Sequence, residues 1–158
     1  MMFRTHFAIG ILIGLLLITA LEVSYPVIFI LIIAFSTALP DIDHQKSKLG
    51  RKIPFVSIPI NLIFHHRKFF HSLFIPVILL LIFIYFKLAY FGIAIVIGYV
   101  AHLFADSVTR EGVEFLYPIS KRKLKGPLST GGLAEKVLYM AVIIVDILIT
   151  ARLFNLFQ

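Results

Sequence analysis

Runs of sequence without Asp, Glu, Lys or Arg decide what this chain can fold into. Residues 7–21, 25–39, 73–86 and 91–105 are such runs, and residues 133–153 form a fifth, more mixed apolar stretch. Hydrocarbon offers no partners to backbone N–H and C=O groups, so segments that enter it must be helices or a closed barrel. These runs lack the apolar–polar alternation of barrel strands. The chain is 60% hydrophobic, whereas soluble domains are about 45–50% apolar, and its mean hydropathy is +1.01. The fold class expected is all-α, an integral membrane helical bundle.

A full crossing takes about 20 residues. Runs of about 15 are short, so flanking Thr, Ser and Tyr extend them or the bilayer thins locally. This gives five crossings, near residues 5–22, 25–39, 72–87, 90–106 and 133–154. Residues 53–64 are apolar but contain Pro54 and Pro59, and are too short to cross. They read as a re-entrant or interfacial segment. Residues 1–158 then form one membrane-embedded domain, with long loops at 40–71 and 107–132. The first run resembles a signal peptide, but no A-x-A site follows it, so it reads as an uncleaved helix.

The net charge is +7. In this topology every Lys and Arg except Lys87 and Arg152 falls on the side of the N-terminus. The positive-inside rule assigns that side to the cytoplasm and the chain to the cell membrane. Topology thus accounts for the charge, and no nucleic-acid partner is expected. Anionic lipid headgroups are a further partner for the same cations.

All six histidines lie on that side too: His6, His44, His65, His66, His71 and His102. Asp41, Asp43 and Asp106 join them. His102 and Asp106 are four residues apart, one helical turn, and so share a face. Asp41 and Asp43 are two apart and point the same way in extended backbone. The chain has no Cys, which excludes thiolate ligands and a Cys nucleophile. Imidazole with carboxylate suits zinc first, with manganese or iron as alternatives. The number of candidate ligands allows one to three ions. A Ser–His–Asp arrangement using Ser72 or Ser107 lacks a G-x-S-x-G turn and leaves most histidines unexplained. Asp146, in the fifth crossing, lies away from this layer and reads as a buried structural hydrogen bond rather than a proton relay.

Several metal ions together activate water and stabilise both oxygens of a displacement at phosphorus. Arg67 and Arg110, with Lys68, are placed to hold phosphate oxygens. The expected activity is hydrolysis of a phosphoester in a phospholipid or lipid-linked substrate, by metal-activated water at the cytoplasmic membrane face. Asp43 is the candidate base. Two alternatives remain: a metal-ion transporter or channel, and a non-catalytic scaffold whose basic loop at residues 121–125 binds protein or nucleic acid. The oligomeric state is open.

Four motifs occur in order: T-H at Thr5 and His6, L-P-D-I-D-H at residues 39–44, H-H-R-x-x-x-H-S at residues 65–72, and G-Y-x-x-H-L-x-x-D-x-x-T-x-x-G from Gly98 with L-Y-P ending at Pro118. Together they resemble the YdjM-type family of inner-membrane, metal-dependent hydrolases. That family has been grouped with zinc-dependent phospholipase C and P1-type nucleases, all-α enzymes with an H-x-x-x-D ligand pair. The resemblance implies a polar metal site made of His6, Asp41, Asp43, His44, His66, His71, His102 and Asp106.

Overall fold

The computed structural model describes residues 1–43 and 69–154; the side chains of Ile42 and Asp43 fall outside that description. The described chain is helical: α1 (Phe3–Ala20), α2 (Pro26–Ser36), α3 (Phe74–Tyr85), α4 (Ala89–Ser107) and α5 (Leu133–Leu153), with a 3-10 turn at Pro40–Asp43. Two isolated bridges, Thr109 with Leu128 and Val113 with Leu124, fold the 107–132 loop back on itself. The expected re-entrant segment at 53–64 lies outside the described residues.

Each helix falls where a crossing is expected, but their lengths differ in kind. The 18 residues of α1 and 19 of α4 are long and apolar enough to cross a membrane, about 27 and 28 Å at 1.5 Å per residue. By contrast α2 has 11 residues and α3 has 12, about 16 and 18 Å. Among the described residues α1 and α4 are therefore the candidate spans, and α2 and α3 fall short of the second and third crossings expected. Pro40 ends the second run by way of the 3-10 turn, and α3 begins only after the 69–73 turns. The 21 residues of α5 are long enough, but Glu135, Lys136, Asp146 and Arg152 interrupt its apolar character.

Small residues set the packing. Helices α1, α2 and α4 pack against one another, α5 packs on α1, and α3 on α4. Gly10 and Gly14 form a G-x-x-x-G pair on α1. A Cβ at Gly10 would lie 2.8 Å from the Ala34 Cα, and one at Gly14 would lie 3.0 Å from the Ile30 Cα, so the α1 and α2 backbones approach closely. Gly98 does the same for α4 against α2: its Cβ would sit 2.2 Å from the Ile33 carbonyl oxygen. Such seams replace the large interlocking side chains of a soluble core. Ile33, Phe29 and Ala94 form one small buried cluster, and Tyr99, Leu103 and Val113 another.

The outer surface is apolar, with Phe35, Leu81, Val137 and Ile147 about 60% exposed. A monomeric soluble protein rarely shows contiguous apolar surface on this scale; a lipid-facing one does. Asp146 departs from expectation. It is buried on α5, whose helical neighbour is α1, yet neither carboxylate oxygen makes a hydrogen bond. The expected structural hydrogen bond is absent, because the apolar residues of α1 at that depth offer no partner.

Candidate metal centre

Four pieces of chain bring imidazoles and carboxylates to one place. His6 sits in the first turns of α1, Asp41 in the 3-10 turn after α2, His71 in the turn before α3, and His102 with Asp106 at the end of α4. His6, His71 and His102 are 2%, 3% and 0% exposed and Asp106 is 9% exposed, so water alone cannot satisfy them.

Local structure explains each placement. Thr37 is the C-cap of α2, so its carbonyl is one of those a helix end leaves without an intrahelical partner. His102 Nδ1 lies 2.7 Å from that oxygen. A carbonyl only accepts, so Nδ1 carries the proton and the Nε2 lone pair faces the cluster. A backbone carbonyl holding the far nitrogen is a common arrangement around metal-binding histidines. Two bonds pin the turn that carries His71. The Tyr99 hydroxyl donates to the Phe70 carbonyl, and the Leu73 N–H donates to the Phe115 carbonyl at 2.9 Å.

The donor atoms are close. His6 Nε2 lies 3.1 Å from Asp106 Oδ1, and His102 Nε2 lies 3.5 Å from Asp106 Oδ2. The Nε2 atoms of His102 and His71 are 3.4 Å apart. His71 Nε2 is 4.0 Å from Asp106 Oδ2 and 3.9 Å from Asp41 Oδ1. Two donors on one zinc at about 2.0–2.1 Å in tetrahedral array are about 3.3 Å apart, so the shorter separations match the edges of a coordination shell. His6 Nδ1 makes no hydrogen bond, and its Nε2 faces Asp106 Oδ1 without an aligned one. Such an orphan is costly unless something else binds it. The donor set therefore fits a divalent cation.

Two triads meet here, His6–His102–Asp106 and Asp41–His71–His102. His102 belongs to both but has one available lone pair, so it can serve one ion only. Asp106 turns Oδ1 toward His6 and Oδ2 toward His71 and His102. The described residues would thus hold one ion at His102, with Asp106 facing both triads. The rings of His6 and His102 stack at 4.0 Å and 14°, which aligns their donors. The α-amino group of Met1 also contacts Asp106 Oδ1.

Of the expected site residues, His6, Asp41, His71, His102 and Asp106 converge. His44, His66 and Arg67 lie outside the described residues, as does the Asp43 side chain. Arg110 is exposed, and its Nε donates to the Pro127 carbonyl at 3.3 Å, which ties it to the loop. Ser72 and Ser107 each donate to a carbonyl three residues back, as expected of local caps rather than nucleophiles.

Sequence reasoning missed two supports. The Thr37 carbonyl is a backbone group, visible only as the last polar residue before Pro40. Glu135, fully buried on α5, accepts hydrogen bonds from the Met2 and Gly131 amides, fixing the start of α1 on which His6 sits. Its place three residues after Gly132 was the available signal, since Glu there reaches back to free amides.

The model of the family described as "YdjM inner membrane protein" matches residues 1–156. The Bacillus subtilis (strain 168) protein named "Uncharacterized protein YvsG" is 34% identical over 106 residues, 66% of this chain and 66% of its own length. The Escherichia coli (strain K12) "Inner membrane protein YdjM" is 44% identical over 87 residues, 51% of this chain and 44% of its own length, and a Shigella flexneri protein of that name matches equally. The matched stretch therefore spans about half to two thirds of these relatives. No solved structure matches.

Proposed function

This chain belongs to the YdjM family of inner membrane proteins, and from that premise we propose that it is a metal-dependent hydrolase of a phosphoester in a lipid or lipid-linked substrate. The observation that carries the proposal is the convergence of three imidazole Nε2 atoms and a carboxylate at separations of 3.1 to 4.0 Å. Structural ion pairs do not require three buried histidines with this spacing.

The orientation proposed puts the cluster at the cytoplasmic face, since loops 40–71 and 107–132 at its end carry most of the Lys and Arg. In a five-crossing bundle, residues beyond the ends of α2 and α3 complete the shorter passages. His6, His71, His102, Asp41 and Asp106 would hold a divalent ion, which would supply Lewis acidity toward phosphoryl oxygen and make water a stronger nucleophile. The chain's contribution is positional. Thr37 holds the His102 tautomer, Asp106 draws the imidazoles of α1 and α4 together, and Tyr99 sets the His71 turn. In the reaction, water adds to phosphorus and the bond to the ester oxygen breaks, giving an alcohol and a phosphate. Arg67 and Asp43 are proposed as phosphate holder and base, with Arg110 as a second cation able to swing from its loop contact.

A metal transporter is less favoured. It needs polar groups along a path through the bilayer, and among the described residues the deep carboxylate Asp146 is the exception in an apolar interior. The test is metal analysis of protein purified in detergent, wild type against Asp106→Ala, paired with phosphate release from a panel of phospholipid vesicles. Wild type should bind at least one ion per chain and release phosphate from one lipid class. Asp106→Ala should lose metal by more than about tenfold. Wild-type protein with no metal above background would end the proposal.

A further inference from the structure

Ala101 and Ala105 directly precede His102 and Asp106 on α4. Their small side chains leave a gap where α4 runs beside α1. The gap is a groove of about 460 Å³ between Ile9 and Ile13 of α1 and Ile97, Ala101, Phe104 and Ala105 of α4, and every side chain lining it is apolar. The helices that wall it are, among the described residues, the two long and apolar enough to span a membrane. The groove therefore opens onto hydrocarbon rather than water. At about 30 Å³ per water-sized unit, it has room for one hydrocarbon chain and not for a globular ligand.

The groove and the cluster draw on the same helix segments. Ile9 lies one turn beyond His6 on α1, and Ala101 and Ala105 directly precede His102 and Asp106 on α4. We propose that this groove holds one acyl or isoprenoid chain of the phosphate-bearing lipid whose headgroup the His/Asp cluster handles, so that substrate enters sideways from the bilayer. This assignment rests on the proposed hydrolase reading and names its substrate as a lipid with a bound chain. A second apolar groove, about 390 Å³ between α2 and α4 and lined by Ile28, Phe35 and Ile95, is the weaker candidate. No ligand of the cluster lies within α2, whereas α1 and α4 carry His6, His102 and Asp106.

The probe is a phosphatidic acid with a diazirine in one acyl chain, compared with the diacylglycerol of identical chains, each in phosphatidylcholine vesicles holding the metal-loaded protein. Photolabelled residues are mapped by peptide mass. Phosphatidic acid should label Ile9, Ile97 or Phe104 about tenfold more than diacylglycerol, the discrimination a charge-assisted headgroup contact supplies. Ala101→Phe should abolish that labelling while retaining bound metal. Equal labelling by both probes would mean ordinary bilayer lipid and would overturn the proposal, as would labelling confined to the α2/α4 groove. Should Ala101→Phe fail to fold, the wild-type comparison decides alone. Labelling needs no turnover. A labelled groove with no phosphate released from any lipid would retire the hydrolase reading, whereas phosphate release from a water-soluble ester with an unlabelled groove would retire the groove.

Discussion

Replacing Gly98 by Ala should damage the metal centre from one turn away. An added Cβ would stand 2.2 Å from the Ile33 carbonyl oxygen and 2.7 Å from the Ser36 Cβ. Carbon and carbonyl oxygen rest at about 3.3 Å or more, so α2 must retreat from α4 by about 1 Å. The two helices run the same way here, and one turn further on Thr37 faces His102. Their hydrogen bond is 2.7 Å; the same retreat stretches it to about 3.7 Å, beyond the useful range. The consequences separate into two readouts. Overpacking and a lost buried hydrogen bond should destabilise the fold by on the order of 2–4 kcal/mol, seen as a lower midpoint of thermal unfolding in detergent. Loss of the tautomer clamp should weaken metal binding about 10- to 100-fold, measured by competition with a chelating dye well below that midpoint. A Gly98→Ala protein that melts earlier yet binds metal as tightly as wild type would refute the claim that the Thr37 carbonyl tunes His102.

Other outcomes follow from the same geometry. His6→Ala should remove most bound metal and also cost on the order of 2 kcal/mol of stability, because it opens a cavity beside His102 at a buried position; metal analysis and melting together check both halves. Imidazole and carboxylate bind metal only when deprotonated, so acid should release the ion and neutral pH should restore it, as equilibrium dialysis would show. Asp146→Leu should leave metal content and activity unchanged and raise stability, since it removes a buried carboxylate that lacks partners; lost activity would instead point to a proton path. Glu135→Ala should cost about 1–3 kcal/mol and loosen His6, visible as earlier melting and reduced metal affinity, with Glu135→Gln restoring part of both.

The legible part of this fold was the part written in side chains of one strong character. Apolar runs gave five helices and their order, and the 102–106 spacing gave a ligand pair on one face. The lengths of α2 and α3 were less legible, because apolar character continues past the residues that hold helical geometry: Thr37 and Ala38 are still buried and Leu39 half-buried although α2 has ended. The close seams were legible in principle, as Gly10 and Gly14 are spaced for them, but glycine in an apolar run reads equally as helix weakening until a neighbour is seen against it. Least legible was Thr37, whose role belongs to a carbonyl every residue has.

That last case bears on why the cluster forms at all. Burying three imidazoles and a carboxylate is unfavourable unless each polar atom finds a partner. His102 has Thr37, and Asp106 has the imidazoles and the Met1 amine. His6 faces Asp106 at 3.1 Å without an aligned hydrogen bond, held against His102 by ring stacking and packed by the close α1–α2 seam. Close helix packing keeps His6 Nε2 and the Asp106 carboxylate facing each other, where a shared cation would satisfy both. A chain selected merely for a stable core would fill that position with Leu, and His6→Leu offers the sharpest comparison. It should melt later than metal-free wild type, because an unsatisfied imidazole is gone. It should melt earlier than the metal-loaded wild type, because ligand binding adds stability to the native state alone. The same order in both comparisons would mean that His6 serves packing rather than metal.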